Sequence, residues 1–577
     1  MGLKHLSVAA TVAMTGVALM VAAVEAGAAS PPPVPGENGM VATAQHLASK
    51  VGADILRQGG NAVDAAVAVG YALAVVYPAA GNLGGGGFMT IRFADGRTTF
   101  LDFREKAPLA STETMYLDAS GNPIPKASTR GYLAAGVPGS VAGFETALAK
   151  YGTMKRDVVM APAINYAENG FTLLQGDVNL LGDATEDFRK DPASAAIFLK
   201  NGQPFQVGDK LVQKDLANTL KQIASTGADA FYKGPIADEI VRASQAGKGI
   251  FSKADFEQYN VRELKPIECN YKGYTITSAP PPSSGGVVIC QILNILEGYP
   301  LKEWGFNSAQ SVHTMVEAMR HAYVDRNSAL GDPDFVKNPI DRLLDKKYAE
   351  SIRAVIPAGK AGNSKDVAPG TAPHEGTNTT HYSITDKDGN AVAVTYTLND
   401  WFGARVTAGS TGVLLNDEMD DFTIKPGVPN LYGLVQGKAN AIAPGKRPLS
   451  SMSPTIVSKD GKLIMVVGSP GGSRIITITL QTILNVLEHG MDIQQATDAP
   501  RIHHQWQPDV VYAEPFALSA DTKKILEGMG YKITEQKPWG DVDAVLVGGP
   551  ALGQTMGKFR YFGANDNRRQ PGEAVGY

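Results

Sequence analysis

The sequence predicts an α+β protein in which sheet is covered by helix, and three observations carry that expectation. An Ala-rich helical pattern over residues 39–76 passes through a glycine-rich loop at 81–87 into strand-like segments at 88–93 and 98–103. Residues 379–399 form two alternating runs about Lys387-Asp388-Gly389, the pattern of a hairpin. Strand-like segments at 449–457, 463–467 and 544–547 lie on either side of a helical run at 475–487.

From the N-terminus, Lys4 and His5 precede an uncharged apolar stretch at 6–24 and the small-residue pattern Ala26-Gly27-Ala28. This is the build of an export signal over residues 1–28, with a retained membrane anchor as the competing reading. The Pro-rich lead at 30–36 favours cleavage, and with it a periplasmic or secreted protein. The chain has 577 residues, a length that alone suggests roughly four domain-sized units. With 44% hydrophobic and 19% charged residues it has ample material for a core. A formal net charge of −4 and the lack of a like-charge run exclude an electrostatic footprint for nucleic acid, so small molecules are the expected partners.

Gly59-Gly60-Asn61 marks a helix stop and the N-cap of the next helix, and Asp95-Gly96 a turn between strands. Residues 130–260 and 305–360 alternate helical runs with polar loops, and Pro280-Pro281-Pro282-Ser283-Ser284-Gly285-Gly286 punctuates a strand-to-helix junction. Residues 360–375 lack apolar periodicity and read as a flexible surface segment leading to Thr379. Cys269 and Cys290 are the only cysteines; export permits a disulfide between them, which the sequence does not reveal. Neither they nor His313, His321, His503 and His504 have metal-ligand spacing, so no metal or cofactor is expected.

The hairpin has one sensible register. With Gly389 left-handed in a three-residue loop, Asp386 pairs with Asn390, and Thr379 falls opposite Thr397 with Asn399 diagonal to it. A two-residue turn would set the apolar positions of one strand beside the polar positions of the other, which a half-buried hairpin does not accommodate. Strand threonines are ordinarily plain β-formers. Other motifs lift this pair above that.

Gly468-Ser469-Pro470-Gly471-Gly472-Ser473-Arg474 lies between a strand and a helix, where backbone amides can meet negative charge. It lacks the Lys-Ser/Thr of a phosphate loop, which leaves an oxyanion hole from the Gly471 and Gly472 amides or a tight packing turn. Asn416-Asp417-Glu418-Met419-Asp420-Asp421-Phe422 packs four acids into five positions after a strand-like Val413-Leu414-Leu415: a solvated charge run, a calcium-like cluster or an ammonium site. Arg104 and the pair Ser450-Ser451 suit a carboxylate. An ammonium site beside a carboxylate site describes an α-amino acid.

These blocks, with Asp102-Phe103-Arg104-Glu105, Thr379-Thr380-His381-Tyr382-Ser383, Pro426-Gly427-Val428-Pro429-Asn430, Arg447-Pro448-Leu449-Ser450-Ser451-Met452-Ser453-Pro454 and Ala499-Pro500-Arg501, resemble the γ-glutamyltranspeptidase family, in family order from about residue 39 onward. The resemblance implies a four-layer αββα sandwich of the N-terminal-nucleophile hydrolase type. It implies an inactive precursor cut between Asn378 and Thr379 into a large subunit, 29–378, and a small subunit, 379–577, that share one intertwined fold as a heterodimer. Thr379 is then nucleophile, with its freed amine as base. Thr397 orients it, and Gly471 and Gly472 stabilise the oxyanion. Arg104, Ser450 and Ser451 bind the α-carboxylate, and Asn399, Glu418 and Asp421 the α-ammonium. The family varies between Gln and Glu at the position of Glu418. Residues 426–437 match a lid in which Tyr432 meets Asn399. Implied partners are glutathione and other γ-glutamyl compounds, with amino acids or dipeptides as acceptors.

Two alternatives are weighed. A glutaryl-cephalosporin-type acylase shares fold and nucleophile, but a glutaryl group has no α-amine for the acids to hold. A non-enzymatic exported amino-acid-binding protein predicts an uncut chain and an unaltered ligand.

Overall fold

The computed structural model describes residues 30–367, 379–548, 558–569 and 571–577. The expected export signal and Asn378 lie outside the described residues. Among the described residues, no helix is long and apolar enough to cross a membrane.

Two seven-stranded sheets stack face to face. The first runs Glu573–Gly576, Met40–Thr43, Thr380–Thr385, Ala391–Thr397, Gly86–Arg92, Thr98–Phe103, Arg262–Leu264. The second runs Val34–Gly36, Tyr561–Asn565, Asp543–Val547, Lys462–Gly468, Thr455–Lys459, Tyr274–Ser278, Ile267–Tyr271. Both sheets draw strands from before and from after Thr379, so neither side of that position builds a sheet alone. The suggestion of about four units from length alone gives way to this single interleaving.

Helices cover both outer faces, completing the expected αββα sandwich. On the first sheet lies the helix Ala62–Val76, every residue of which is buried. Such all-round apolarity marks a helix sandwiched between other layers. Asn61 caps it in a capping box with Asp64, as the sequence suggested. The hydroxyls of Tyr382 and Tyr396 donate to the Ala66 and Gly70 carbonyls of this helix, both at 3.0 Å. Helices Gly285–Leu296, Ala309–Ala329 and Ile475–Leu487 cover the second sheet, whose apolar outer residues join them in one core.

The hairpin register is as expected: Thr380 pairs with Tyr396 and Thr385 with Ala391. Asp386 N–H donates to the Asn390 carbonyl at 3.1 Å and Gly389 sits at φ 94°. The hairpin is not half-buried, however. Its polar face packs on the second sheet, where Ser383 donates to the Asp543 carbonyl at 2.9 Å. Small and hydroxyl side chains suit that interface because two sheets meet there without helices between them.

Other expectations need correction. Residues 40–43, read as helical, are a strand, because pairing with Thr380–Thr385 and Glu573–Gly576 outweighs local propensity. Val413-Leu414-Leu415 forms only isolated bridges, to Gly84 and Thr407, and within residues 449–454 the one pairing is the isolated bridge of Ser450 to Ser283. The segment read as flexible is pinned over residues 361–367. Ser364 N–H donates to Asp509 at 2.8 Å, and the Trp506 indole donates to the Ser364 carbonyl at 3.0 Å.

Cys269 and Cys290 are disulfide-bonded, tying the edge strand Ile267–Tyr271 to the helix Gly285–Leu296 across a sequence separation of 21. A loop of that size stabilises by about 3 kcal/mol in the chain-entropy account. Replacing both cysteines by serine is expected to lower the thermal unfolding midpoint measured by calorimetry; an unchanged midpoint would mean that the crosslink restrains nothing in the unfolded chain.

Candidate active site

Thr379 and Arg104 line one and the same cavity, together with Thr397, Asn399, Glu418 and Asp421. Thr379 is 4% exposed, and Thr397 Oγ1 donates to its Oγ1 at 3.4 Å, the contact the register demands. Thr397 in turn accepts the Asn399 N–H at 2.8 Å. That amide polarises the hydroxyl that faces the nucleophile.

Asn399 is left-handed, φ 80°, where the strand ends and the chain turns away. Its side-chain amide donates to the Asp417 carbonyl at 3.0 Å, and its own carbonyl accepts the Tyr432 hydroxyl at 2.7 Å. Tyr432 thereby becomes part of the cavity wall, almost fully buried. Asn430 supports it, its carboxamide oxygen accepting the N–H groups of Tyr432 and Leu434.

The acid run is buried, not solvated. Residues Glu418–Asp421 form a 3₁₀ turn, in which positions three apart eclipse, so Glu418 and Asp421 both face the cavity. Asp417 and Asp420 point away and hold backbone: Asp417 accepts the Asp400 N–H at 2.8 Å, and Asp420 accepts the Leu431 N–H at 2.7 Å. Gly84 makes the docking of this run possible, because a Cβ there would lie 2.1 Å from the Leu414 carbonyl oxygen.

Arg104 is fully buried and forks to both Glu418 and Asp421, with Glu105 Oε2 3.5 Å from its Nη1. The residues expected to take opposite ends of a zwitterion thus neutralise one another in the empty cavity. Burial raises Glu418 well above the usual carboxylate range, with Arg104 opposing.

Ser450 and Ser451 line the cavity beside Arg104. The Pro280–Gly286 block shapes them: Ser284 N–H donates to the Ser450 carbonyl at 2.8 Å and Ser450 N–H to the Pro282 carbonyl at 2.8 Å. Arg326, from the helix Ala309–Ala329, donates to Ser451 Oγ at 2.9 Å and lines the cavity as well. Burial lowers its pKa to about 10. Sequence reasoning missed Arg326, together with Leu434, Met452, Ser473 and Ile475 on the wall.

Gly472 borders the cavity, while Gly471 sits one residue back at the start of the 3₁₀ turn Gly472–Arg474. His381 sets where this loop leaves its strand. Its ring bridges the Thr395 and Ser383 hydroxyls at 2.8 and 3.0 Å and presses on Gly468, where a Cβ would come within 2.4 Å of it. The strand Thr380–Thr385 and the glycine loop are therefore spaced by one imidazole ring, which burial holds neutral by lowering its pKa to about 3.

A threonine immediately before a central strand of an αββα sandwich, sharing a cavity with a glycine loop, fits the class of N-terminal-nucleophile hydrolases. Residues 48–577 match the Gamma-glutamyltranspeptidase family. A glutathione hydrolase proenzyme of Pseudomonas sp. (strain A14) is 65% identical over 567 residues, 98% of this chain and 99% of its own. Among solved structures, a cephalosporin acylase from Bacillus halodurans superposes with a TM-score of 0.82 at 26% identity, over 95% of this chain and 97% of that one. The γ-glutamyltranspeptidase of Helicobacter pylori matches at 48% identity and a TM-score of 0.56, over 58% of this chain and 96% of that one. The chain belongs to the γ-glutamyltranspeptidase family and is an enzyme.

Gly468→Ala is expected to push His381 or the glycine loop aside and cut kcat by about 100-fold, the cost of a misplacement near 1 Å. Steady-state kinetics at the parental rate would show that the ring yields without moving the loop.

Proposed function

We infer that this protein is a self-cleaving γ-glutamyltransferase and glutathione hydrolase with Thr379 as its nucleophile. The observation that carries the reading is one cavity lined at once by Thr379, a guanidinium, two serines and two carboxylates paired to that guanidinium. A γ-glutamyl group matches that layout. Its α-carboxylate meets Arg104, Ser450 and Ser451; its α-ammonium meets Glu418, Asp421 and Asn399; its γ-carbonyl reaches Thr379.

In the precursor, the Thr379 hydroxyl attacks the Asn378 carbonyl carbon, the peptide nitrogen leaves, and the resulting ester is hydrolysed by water. Asn378 then ends the large subunit, and Thr379 begins the small one with a free amine. That amine is the only strong base this arrangement supplies to the hydroxyl, which is a weak nucleophile without one. In the mature enzyme it takes the hydroxyl proton as Thr379 Oγ1 bonds to the γ-carbonyl, while Thr397 orients the oxygen. The Gly471 and Gly472 amides meet the developing oxyanion. Collapse expels the amine of the substrate, which receives the proton, and leaves a γ-glutamyl ester. Water resolves the ester to glutamate, and an amino acid or dipeptide amine resolves it to a transfer product. Tyr432 limits how water reaches the ester. Heterodimer formation and export in a signal-bearing form complete the reading.

The likeness to a cephalosporin acylase raises a second reading, hydrolysis of a glutaryl side chain. It is disfavoured because Glu418 and Asp421 would face a chain with no ammonium. Thr379→Ala is expected to leave one full-length chain without activity; electrophoresis showing two subunits in that variant would remove Thr379 from the nucleophile's role. Arg104→Ala would leave buried acids uncompensated, so Arg104→Lys is the cleaner test. It is expected to keep self-processing and to raise KM for a γ-glutamyl anilide on the order of ten- to a hundredfold through loss of the bidentate fork. An unaltered KM, or a parental preference for the glutaryl anilide, would overturn the assignment.

A further inference from the structure

Gln505 is a buried amide without a role in the steps above. It follows the strand Ile502–His503 and is fully buried. Its carboxamide oxygen accepts the Ser473 hydroxyl at 2.6 Å and faces His503 Nε2 at 2.9 Å. Its nitrogen donates to the carbonyls of Tyr432 and Gly433, at 3.4 and 3.3 Å. Those carbonyls can only accept, so the partners settle which way the amide points: nitrogen toward residues 432–433, oxygen toward Ser473. An apolar side chain in its place would leave buried polar groups unpaired on both sides.

The two sides that Gln505 joins both line the cavity. Ser473 belongs to the 3₁₀ turn Gly472–Arg474, and Tyr432 to a wall segment that also supplies Leu434. The glycine loop has little hold of its own, since Gly471 and Gly472, at φ 148° and 55°, have no side chain to pack. The His381 ring fixes the loop at Gly468, and Ser473 fixes its other end. There the Tyr323 hydroxyl donates to the Ser473 carbonyl at 2.5 Å, and Ser473 Oγ donates to Gln505. Tyr432 is likewise held at two points, its hydroxyl on the Asn399 carbonyl and its own carbonyl on Gln505. The backing is stiff. Trp506 is left-handed at φ 71°, almost fully buried, and its indole donates to the Ser364 carbonyl at 3.0 Å. A bulky residue in that conformation persists only where its surroundings overdetermine it.

We propose that Gln505 is a positioning residue for the reaction at Thr379: it locks residues 432–433 to the glycine loop, so that one amide sets both the oxyanion donors and the wall that limits water. The proposal rests on the γ-glutamyl reading above and deepens it. On that reading the Gly471 and Gly472 amides act while the ester forms, whereas Tyr432 acts afterwards, when water and an amine compete for the ester. Loosening a single link between them slows ester formation and admits water together. Arg104, Ser450, Glu418 and Asp421 keep their places, because the hydrogen bonds of Gln505 go elsewhere.

The test is Gln505→Met, which keeps the length of the side chain and removes its hydrogen bonds. The processed enzyme is assayed on a γ-glutamyl anilide with and without glycylglycine as acceptor. The expected result is a kcat/KM for the anilide about tenfold lower and a ratio of hydrolysis to transfer about three- to tenfold higher at equal acceptor concentration. The inhibition constant of L-glutamate is expected to stay within about twofold of the parent, since binding of the glutamyl moiety is untouched. A merely structural role would lower the thermal midpoint and leave the product ratio alone. Tyr432→Phe frees the other end of the tyrosine, so the double variant should fall short of the product of the two single shifts. A processed Gln505→Met with the parental product ratio overturns the proposal. A double variant whose shift equals that product also overturns it, because Gln505 would then act by a route other than Tyr432. Should Gln505→Met fail to process, Ser473→Ala carries the test. It removes one hydroxyl on the loop side and is expected to move kcat/KM and the product ratio in the same directions by less; parental values of both overturn the proposal. A parent that leaves the γ-glutamyl anilide uncut sinks the γ-glutamyl reading and the proposal with it, whereas an active parent with unshifted variants sinks the proposal alone.

Discussion

Everything in the cavity depends on how Asp386 closes one hairpin. Its carboxylate accepts the Asp388 and Asn390 N–H groups, both at 3.0 Å, and its other oxygen accepts the Ala62 N–H at 2.9 Å. The same side chain thus fixes a turn and satisfies an orphan amide at a helix start, where a negative charge is also favoured by the helix dipole. Shift that turn by one residue and Thr379 no longer faces Thr397; every side chain of the strand would change sheet face. The helix Ala62–Val76 then holds the even positions through the hydroxyls of Tyr382 and Tyr396, while the odd positions, His381 among them, meet the second sheet.

From that register the second sheet becomes a ruler. Gly468 ends the strand that pairs with Asp543–Val547, and the His381 ring fills the gap between it and the strand Thr380–Thr385. The glycine loop that follows is therefore placed by packing between sheets and not by its own sequence. Close packing transmits such spacing because interiors deform little.

Local patterns made part of this legible. The helix Ile475–Leu487, the Asn61 cap and the hairpin register were all readable, since each depends on residues within a few positions. Glu418 and Asp421 were reached through resemblance; the 3₁₀ turn that pairs them, and the outward duties of Asp417 and Asp420, are tertiary facts. The strand Met40–Thr43 was illegible because its partners lie hundreds of residues away. Arg326 was missed although a signal existed: it lies three, four and seven positions after Tyr323, Ala322 and Met319, on the apolar face of its helix. An arginine there must find polar company in the interior, and Ser284 and Ser451 provide it.

Buried acids of this number do not favour folding. Replacing a whole buried ion cluster by well-packed apolar groups is often neutral or stabilising, so the presence of these acids needs a reason outside stability. Recognition supplies it. An apolar pocket discriminates weakly between groups of similar shape, whereas a site that leaves charges unpaired unless the right ligand arrives discriminates strongly. On the γ-glutamyl reading, a glutaryl chain would leave Glu418 and Asp421 against one guanidinium, whereas a γ-glutamyl chain would bring its own cation to them, and the acids around Arg104 would be the specificity element.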